Sequence, residues 1–157
     1  MLHEWLLRPH VARWWAGSPT LAEVEADYVP AIAGVVPTQC FVALANEKPI
    51  GFIQAYVAAG WHHEGWWLHE HDPGVWGIDQ FLADGEQLAQ GLGTAMVRAF
   101  VARLFENPIV TRIQTDPAPQ NLRAIRCYEK AGFRAIREID TPDGRALLMY
   151  CERPASR

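Results

Sequence analysis

Two glycines stand one residue apart in the stretch Gln87-Leu88-Ala89-Gln90-Gly91-Leu92-Gly93-Thr94, directly before an amphipathic segment that runs to Phe105. Glycine lets the backbone come close to a bulky anion, and the unpaired N–H groups at the start of a helix point at such a ligand. The stretch therefore predicts a pyrophosphate cradle. A glycine turn before a core helix is the ordinary alternative, because short glycine motifs recur by chance.

A carboxylate lies shortly before this stretch. Asp79 falls within Val75 to Leu82, a segment rich in β-forming residues that predicts a strand. A carboxylate near a bound amine can act as a general base. The alternative is a polar residue on the solvent side of an alternating strand, with Ile78 facing inwards. The residues alone favour neither interpretation.

Four histidines are concentrated between Gly60 and Gly74, among acids and tryptophans. Histidine and carboxylate side chains can bind a metal, but neither HExxH nor another tight ligand spacing is present. We therefore expect a solvated loop and no metal. The segment has neither helical nor strand periodicity, and a loop of this length in a compact domain is often functional.

Length and composition predict one globular domain over residues 1–157. Hydrophobic residues make up 50% and charged residues 20%, as in ordinary globular proteins. No apolar run is long enough to span a membrane. The net charge of −4 argues against a nucleic acid as partner and permits a cationic ligand. We expect a monomer or a weak homodimer.

The cysteines and the first residues predict a cytoplasmic protein. Cys40, Cys127 and Cys151 are odd in number, widely spaced and without a CxxC pair, which favours buried thiols over a disulfide framework. The first five residues lack the basic and then apolar order of a secretion signal.

The N-terminal region is predicted to be helical. Apolar spacing indicates a helix over Leu2 to Trp15, interrupted at Pro9. A capping box at Thr20 to Glu23 predicts a second helix over Leu21 to Tyr28, which Pro30 then closes.

The rest of the chain predicts alternating strands and helices. In order these are strands Thr38–Ala45, Ile50–Ala58 and Val75–Leu82, a helix Gly91–Phe105, a strand Ile109–Thr115, a helix Gln120–Ala131 and strands Phe133–Ile139 and Arg145–Cys151. Gly51 in the second strand indicates a β-bulge or a close backbone approach. The order implies an α+β protein with a mixed sheet covered by helices.

Two segments about thirty residues apart carry a family resemblance. One is the turn Gly91-Leu92-Gly93-Thr94 after a strand. The other is Asn121 to Phe133, with Asn, Ala, Tyr, Glu, Gly and Phe at the matching positions. They resemble the pyrophosphate loop and the second signature of the GNAT superfamily of acetyl-coenzyme A-dependent N-acetyltransferases. The resemblance implies the GNAT fold, a mixed and largely antiparallel sheet flanked by helices.

Further stretches narrow the resemblance. These are Gly65-Trp66-Trp67, Asp72-Pro73-Gly74-Val75, Gly77-Ile78-Asp79-Gln80, Ile113-Gln114-Thr115-Asp116-Pro117 and Thr141-Pro142-Asp143-Gly144. All are similar to the aminoglycoside 6′-N-acetyltransferases, and the likeness runs from Met1 almost to the C-terminus. It implies acetyl transfer from acetyl-coenzyme A to the 6′-amine of an aminoglycoside, as in antibiotic resistance.

The chain departs from the family pattern at the pyrophosphate loop, at its N-terminus and at Glu64, where the family has Asp. The superfamily usually has Arg or Gln three residues before the first glycine, where this chain has Leu88 with Gln87 and Gln90 beside it. Backbone donors must then hold the pyrophosphate, so a Cβ at Gly91 or Gly93 should matter more than changes at either glutamine. The family also begins with a strand before its first helix, which implies that the sheet here lacks its usual first strand.

The resemblance assigns residues to three roles. Asp79 is the base that deprotonates the ammonium group, and Tyr128 is the acid for the departing thiolate. The residues implied in coenzyme binding are Gln87, Gln90, Gly91, Leu92, Gly93, Thr94 and Asn121. The residues implied in binding the cationic substrate are Trp15, Tyr28, Glu64, Trp67, Asp79, Asp116 and Asp143. Carboxylates pair with ammonium groups, and indole faces attract cations.

Several of these residues have ordinary alternatives. Tyr128 could be a half-buried core aromatic, Asn121 a helix cap, Asp116 a cap and Asp143 a turn residue. For Asp143 the turn would be the better interpretation without the resemblance.

Mechanism and function also have alternatives. Cys127 could take the acetyl group first, but it lies about 100° round the helix from Tyr128, so we expect a core thiol and direct transfer in a ternary complex. The chain could instead acetylate another amine, such as a polyamine or a peptide N-terminus, or be a non-catalytic acetyl-coenzyme A-binding module. Acid-rich loops with paired tryptophans favour the polycationic sugar.

Overall fold

A computed structural model describes residues 1–15 and 17–155. Its helices are α1 (Leu2–Leu6), α2 (Pro9–Ala12), α3 (Leu21–Ile32), α4 (Leu92–Phe105) and α5 (Leu122–Lys130). Its strands are β1 (Gln39–Ala45), β2 (Lys48–Val57), β3 (Val75–Leu82), β4 (Arg112–Thr115), β5 (Arg134–Thr141) and β6 (Gly144–Glu152). Two 3₁₀ segments, Ala58–Glu64 and Gly85–Gln87, follow β2 and precede α4.

The six strands form one sheet in the order β1-β2-β3-β4-β6-β5. Every neighbouring pair is antiparallel except β3 and β4, which are parallel. The predicted α+β class, with a mixed and largely antiparallel sheet flanked by helices, is confirmed. β1 is an outer strand, and no strand precedes it in the part of the chain that the structure describes.

One face of the sheet carries the main hydrophobic core under α4 and α5. Side chains alternate between the two faces of a strand, and Ile53, Ile78 and Ile113 point to this face, at most 2% exposed. Phe100 and Val97 on α4 pack against them. Met96, Phe100 and Leu104, spaced by four residues in the sequence, thus face the sheet.

The opposite face is covered in two separate places. Trp5 and Val24, from α1 and α3, pack with Phe52 and Phe81 of β2 and β3. Farther along, the segment 58–74 covers β6 through Trp67. The part of the sheet between these two covers becomes a cleft.

β3 and β4 are paired only at their beginnings. Val75–Gly77 lie opposite Arg112–Gln114, and the pairing ends there although β3 continues to Leu82. Because the strands are parallel and each is followed by a helix, α4 and α5 begin at the same edge. The sheet therefore opens between β3 and β4 at the end where both helices start.

Two predicted boundaries are wrong. The helix expected to end at Tyr28 continues to Ile32 with Pro30 inside it. Proline removes one backbone bond to the carbonyl of Ala26, but that turn is exposed, so water can satisfy the oxygen. β4 starts at Arg112, because the preceding residues form a turn after α4.

Two local predictions are confirmed. In the capping box of α3, Thr20 N donates to Glu23 Oε2 at 2.7 Å and Glu23 N donates to Thr20 Oγ1 at 3.3 Å. The β1–β2 register shifts next to Gly51, and a Cβ on Gly51 would strike the carbonyl oxygen of Phe81. Both the bulge and the close approach are therefore present.

Candidate active site

A cleft of about 1110 Å³ opens on the partly covered face of the sheet. Its lining comes from all the elements around that opening. The lining residues used below are Trp15, Tyr28, Cys40, Gln54, Tyr56, Trp61, Glu64, Trp66, Asp79, Asp116, Asn121, Tyr128 and Asp143. Residues up to 128 positions apart in sequence, Trp15 and Asp143, therefore share one site.

Carboxylates dominate the charges of this lining. The acids are Asp27, Glu64, Asp79, Asp116 and Asp143, and the bases are Arg13 and Arg145. Burial raises the pKa of Asp116 well above its usual value, and the negative charges of Asp79 and Asp143 raise it further. Like charges held this close disfavour ionisation, so the cleft attracts cations that relieve the repulsion.

Asp79 lies where the cleft meets the opening between β3 and β4. It is two residues beyond Gly77, the last residue of β3 paired with β4, and Ile78 points to the opposite, buried face. Burial raises the pKa of Asp79, whereas hydrogen bonds from Gln54 and Tyr56 lower it. Asp79 is thus not on a solvated face, and a partly buried carboxyl with a raised pKa suits a general base.

Tyr128 lines the cleft and belongs to the core as well. It is 4% exposed and packs against Phe133 with ring centroids 5.3 Å apart. Burial raises the pKa of its phenol, despite hydrogen bonds with Thr115 and Gln80. The hydroxyl therefore stays protonated at neutral pH and can donate a proton.

Cys127 faces the start of α4. Thr94 Oγ1 donates to Cys127 Sγ at 3.8 Å, and burial raises the pKa of the thiol. A protonated thiol is a weak nucleophile. These surroundings fit a packing role.

The start of α4 has the properties of an anion site. Gly91 has φ +84°, and Ala89 before it has φ +61°. A left-handed non-glycine residue costs about 1–2 kcal/mol, and such strain is often found at ligand clamps. The first intrahelical bond runs from Ala95 N to Gly91 O, so the N–H groups of residues 92–94 are available to a ligand.

The side chains around this turn make contacts within the protein. Gln90 Nε2 donates to the carbonyl of Glu86 at 2.6 Å, and Leu88 packs against the main core. A Cβ on Gly93 would meet Cys127 Sγ at 3.4 Å, an ordinary contact. The packing of α4 against α5 therefore leaves room for a Cβ at Gly93. The Gln90 amide is thus engaged within the protein, while the backbone N–H groups at the start of α4 face outwards to a ligand.

Asn121 and Asp143 each have the local structural role expected of them and also line the cleft, whereas Asp116 only lines the cleft. Asn121 Oδ1 accepts from Ala124 N at 3.3 Å and caps α5, yet Asn121 also lines the cleft. Asp143 lies in the exposed turn between β5 and β6 and lines the cleft. Asp116 directly follows β4 and also lines the cleft.

The predicted aromatic pair from the N-terminal helices is present. Trp15 Nε1 donates to the hydroxyl of Tyr28 at 3.1 Å, and both line the cleft. Trp15 also packs against Phe81 with ring centroids 5.1 Å apart. Burial raises the pKa of Tyr28 to about 12, although the hydrogen bond from Trp15 lowers it.

The structure does not bring Trp67 to the cleft surface. It is 4% exposed and packs with Tyr56 and Leu148 beneath the segment 58–74. Its neighbour Trp66 lines the cleft instead, together with Trp61. Adjacent residues of this loop point to opposite sides, and its periodicity in the sequence did not indicate which tryptophan is buried.

An ion pair between buried Glu70 and half-buried Arg112 fixes this segment. Glu70, 6% exposed, pairs with Arg112 of β4, and its Oε1 accepts from the N–H groups of His71 and Asp72, both at 3.0 Å. The Arg112 guanidinium lies 4.2 Å from the ring centre of Tyr150. The prediction of a solvated loop is therefore wrong for the part of the loop around Glu70.

The histidines of the loop have structural contacts. His62 Nε2 bonds the carbonyl oxygens of Trp67 and Glu70 at 3.0 and 2.7 Å. Within residues 1–15 and 17–155, no group of three or more His, Cys, Asp or Glu side chains is placed to hold a metal ion.

Sequence reasoning missed Gln54 and Tyr56. Both lie on β2, two residues apart, on the face that carries the cleft. Gln54 Nε2 donates to Asp79 Oδ2 at 2.9 Å. The available signal was an amide and a phenol at alternate positions of an otherwise apolar strand.

Comparison with known proteins identifies the family. A family model described as an acetyltransferase (GNAT) domain matches residues 1–141. The aminoglycoside N(6′)-acetyltransferase type 1 of Klebsiella pneumoniae is 52% identical over 158 residues, which cover 99% of this chain and 78% of that protein. The chain belongs to the aminoglycoside N(6′)-acetyltransferases of the GNAT superfamily. A kanamycin resistance protein of Rhizobium radiobacter is 61% identical to this acetyltransferase over 90 residues, 57% of this chain and 83% of that protein.

A crystal structure extends the likeness to the fold. Aminoglycoside acetyltransferase AAC(6′)-Ib, in complex with coenzyme A and kanamycin, is 54% identical and matches with a TM-score of 0.92. The match covers 98% of this acetyltransferase and 88% of that chain. No helix in residues 1–15 and 17–155 is both long and apolar enough to cross a membrane.

Proposed function

We propose that this acetyltransferase transfers the acetyl group of acetyl-coenzyme A to the 6′-amine of an aminoglycoside antibiotic, directly and within a ternary complex. The observation that carries the proposal is the position of Asp79, between an acid-lined cleft and the opening of the sheet at the start of α4. A polycationic sugar and a pyrophosphate-bearing coenzyme would meet at this carboxylate. The family membership supports the same assignment.

Asp79 is the proposed base. The substrate amine arrives largely as ammonium and must lose a proton before it can attack. Burial raises the pKa of Asp79, which brings its proton affinity closer to that of the amine. Asp116 and Asp143 bind further ammonium groups through charge-assisted hydrogen bonds, with Glu64 at the rim.

Aromatic side chains complete the proposed substrate site. Trp15, Tyr28 and Trp66 line the cleft, and aromatic faces pack on sugar rings and attract cations. Trp67 lies beneath the cleft surface and supports the site through its packing against Tyr56.

The proposed coenzyme site follows from the start of α4. Acetyl-coenzyme A supplies the acetyl group as a thioester. The N–H groups of Leu92, Gly93 and Thr94 bind its pyrophosphate after the Gly91 turn, with Gln87 and Gln90 beside them and Asn121 facing the pantetheine arm. Tyr128 Oη holds the proton for the departing sulfur, and Cys127 takes no acetyl group.

A thiol-release assay with acetyl-coenzyme A and kanamycin or tobramycin tests the proposal. We expect release with both aminoglycosides and little with spermidine or a peptide N-terminus. Release with a polyamine and with no aminoglycoside would contradict the substrate class. Thermal stabilisation by coenzyme A without any turnover would instead indicate a binding module.

We further propose that the protein works in the cytoplasm as a monomer or weak homodimer, without nucleic acid or membrane. Its net charge of −4 supports this, because phosphate-rich surfaces repel an acidic protein. Light scattering at micromolar concentration should give the monomer mass. A stable higher oligomer would contradict the proposal.

A further inference from the structure

Three side chains form a line across the sheet at the floor of the cleft. Cys40 on β1 lies opposite Gln54 on β2, which lies opposite Asp79 on β3. Cys40 Sγ donates to Gln54 Oε1 at 3.9 Å, and Gln54 Nε2 donates to Asp79 Oδ2 at 2.9 Å. The base is therefore connected to the outer strand.

The direction of the Gln54 amide follows from its two neighbours. An ionised carboxylate only accepts hydrogen bonds, so the amide nitrogen must face Asp79 and the amide oxygen must face Cys40. A thiol donates only while it is protonated, and burial raises the pKa of Cys40. Cys40 therefore favours the amide orientation that stabilises a charged Asp79.

We propose that Gln54 and Cys40 are positioning residues for the base: Cys40 orients the Gln54 amide, and Gln54 holds the Asp79 carboxylate directed and ionised. This inference rests on the proposed function, since it concerns the same base. Both residues act through Asp79. Their loss should change how activity depends on pH, which a purely structural role would not do.

Other titratable groups face Asp79 from the elements packed around it. They are Tyr56 of β2, Tyr28 of α3, Tyr128 of α5, Asp116 after β4 and Asp143 of the β5–β6 turn. Burial raises the pKa of each of the three phenols, which stay neutral. The negative charge of Asp143 raises the pKa of Asp79, and that of Asp79 raises the pKa of Asp116. Changes at Gln54 or Cys40 leave all five in place.

The first test is the pH profile of kcat/KM for kanamycin in Gln54→Leu, which keeps the volume and removes the amide. A hydrogen bond to a charged group corresponds to about one pKa unit or more. We expect the acid limb to move to higher pH by about one unit, with activity recovered at pH values above the new limb. An unchanged limb in the folded variant overturns the role of Gln54.

The second test uses Cys40 and does not depend on whether Gln54→Leu folds. Cys40→Val removes the donor at similar size, and Cys40→Ser keeps one. We expect valine to move the acid limb in the same direction by a smaller amount and serine to leave it near the wild-type position. Equal profiles for the two variants overturn the role of Cys40.

Val42→Ala is the control for a loosened strand, because Val42 lies on β1 two residues from Cys40 and is exposed. Its acid limb should stay in place, and a shift equal to that of Cys40→Val would overturn the inference. If the wild-type protein releases no thiol with any aminoglycoside, the proposed function fails instead. The two failures are thus distinguishable.

Discussion

The carboxyl group of Asp79 destabilises the folded protein at neutral pH. Burial raises its pKa in the folded state, so the folded protein holds a proton that the unfolded chain releases. Stability therefore falls as pH rises from the unfolded pKa, about 4, through the folded pKa. The group that equips the cleft for proton transfer costs stability in the pH range where the enzyme would work.

Asp79→Asn should lose turnover and gain stability. We expect kcat to fall by about 100-fold or more while the KM for kanamycin changes little. The Tm at pH 7 should rise, by roughly 2–4 °C for each kcal/mol regained, and the gain should shrink as pH falls towards 4. Calorimetry across pH and steady-state kinetics measure both. Glu25→Gln, on the exposed side of α3, is the control, and unchanged turnover across pH 6 to 8 would remove Asp79 from the role.

The Gly91 turn makes a second prediction at single residues. Gly91 has φ +84° and open space where a Cβ would stand, so Gly91→Ala adds backbone strain of about 1–2 kcal/mol without a clash. We expect a lower Tm and a clearly higher KM for acetyl-coenzyme A, because the turn presents the N–H groups of α4. Gln90→Ala, which removes one exposed hydrogen bond, should change this KM less. The reverse order would mean that side chains hold the pyrophosphate.

At the scale of elements, the segment 58–74 depends on one long-range contact. Glu70 and Arg112 are 42 residues apart, and their pair ties the loop to β4. Trp61, Glu64 and Trp66 lie on the same segment and line the cleft. An ion pair outside the cleft therefore positions this part of the cleft lining.

Glu70→Gln should weaken aminoglycoside binding more than coenzyme binding. The change keeps an acceptor for the two backbone N–H groups but leaves Arg112 without its charge partner, which costs less than the roughly 3–5 kcal/mol of a fully buried pair because Arg112 is partly exposed. We expect a lower Tm and a KM for kanamycin that rises severalfold, with a smaller change for acetyl-coenzyme A. Glu152→Gln, in the exposed pair with Arg134, is the control. Equal effects on both KM values would contradict this account.

The elements could be predicted wherever local chemistry defines them. The apolar rows of α4, the Asn121 cap of α5 and the Thr20–Glu23 box of α3 all use residues within a few positions of each other. The end of α3 was missed because an exposed helix tolerates Pro30. The choice between Trp66 and Trp67 was missed because the Glu70–Arg112 pair, invisible in local sequence, orients the loop.

Gln54 shows the same limit in the candidate site. Asp79 and Tyr128 were found through family motifs, whereas Gln54 lies outside every motif. Its contact with Asp79 depends on the β2–β3 register, which local sequence does not specify. Cross-strand partners of a site are thus harder to predict than the residues within its motifs.

At the scale of the whole molecule, the two faces of the sheet differ: one carries the main hydrophobic core and the other carries the cleft. One face is closed by α4 and α5, and the other is left open between the N-terminal helices and the segment 58–74. The cleft in the open part of this face is lined by five acids and two arginines. Their formal charge of −3 is most of the chain's net charge of −4, so the negative charge of the protein is concentrated in the cleft.

This charge distribution predicts a salt-dependent reaction. A cleft of one sign accelerates encounter with an oppositely charged substrate, and ions screen the effect. Raising NaCl from 20 to 500 mM should lower kcat/KM for kanamycin on the order of tenfold. Aminoglycosides with fewer amines should lose less. An equal loss for all of them would indicate that contacts, and not the field of the cleft, select the substrate.

β1 has a consequence for how the protein responds to heat. It is an outer strand, and no described strand covers its free side. Such strands open in local fluctuations at a lower free energy than the whole domain needs to unfold. Because Cys40 on β1 contacts Gln54, each opening would release the Gln54 amide that orients Asp79, while the core stays intact. Activity should therefore decline on warming before the Tm is reached, in step with amide hydrogen exchange in β1.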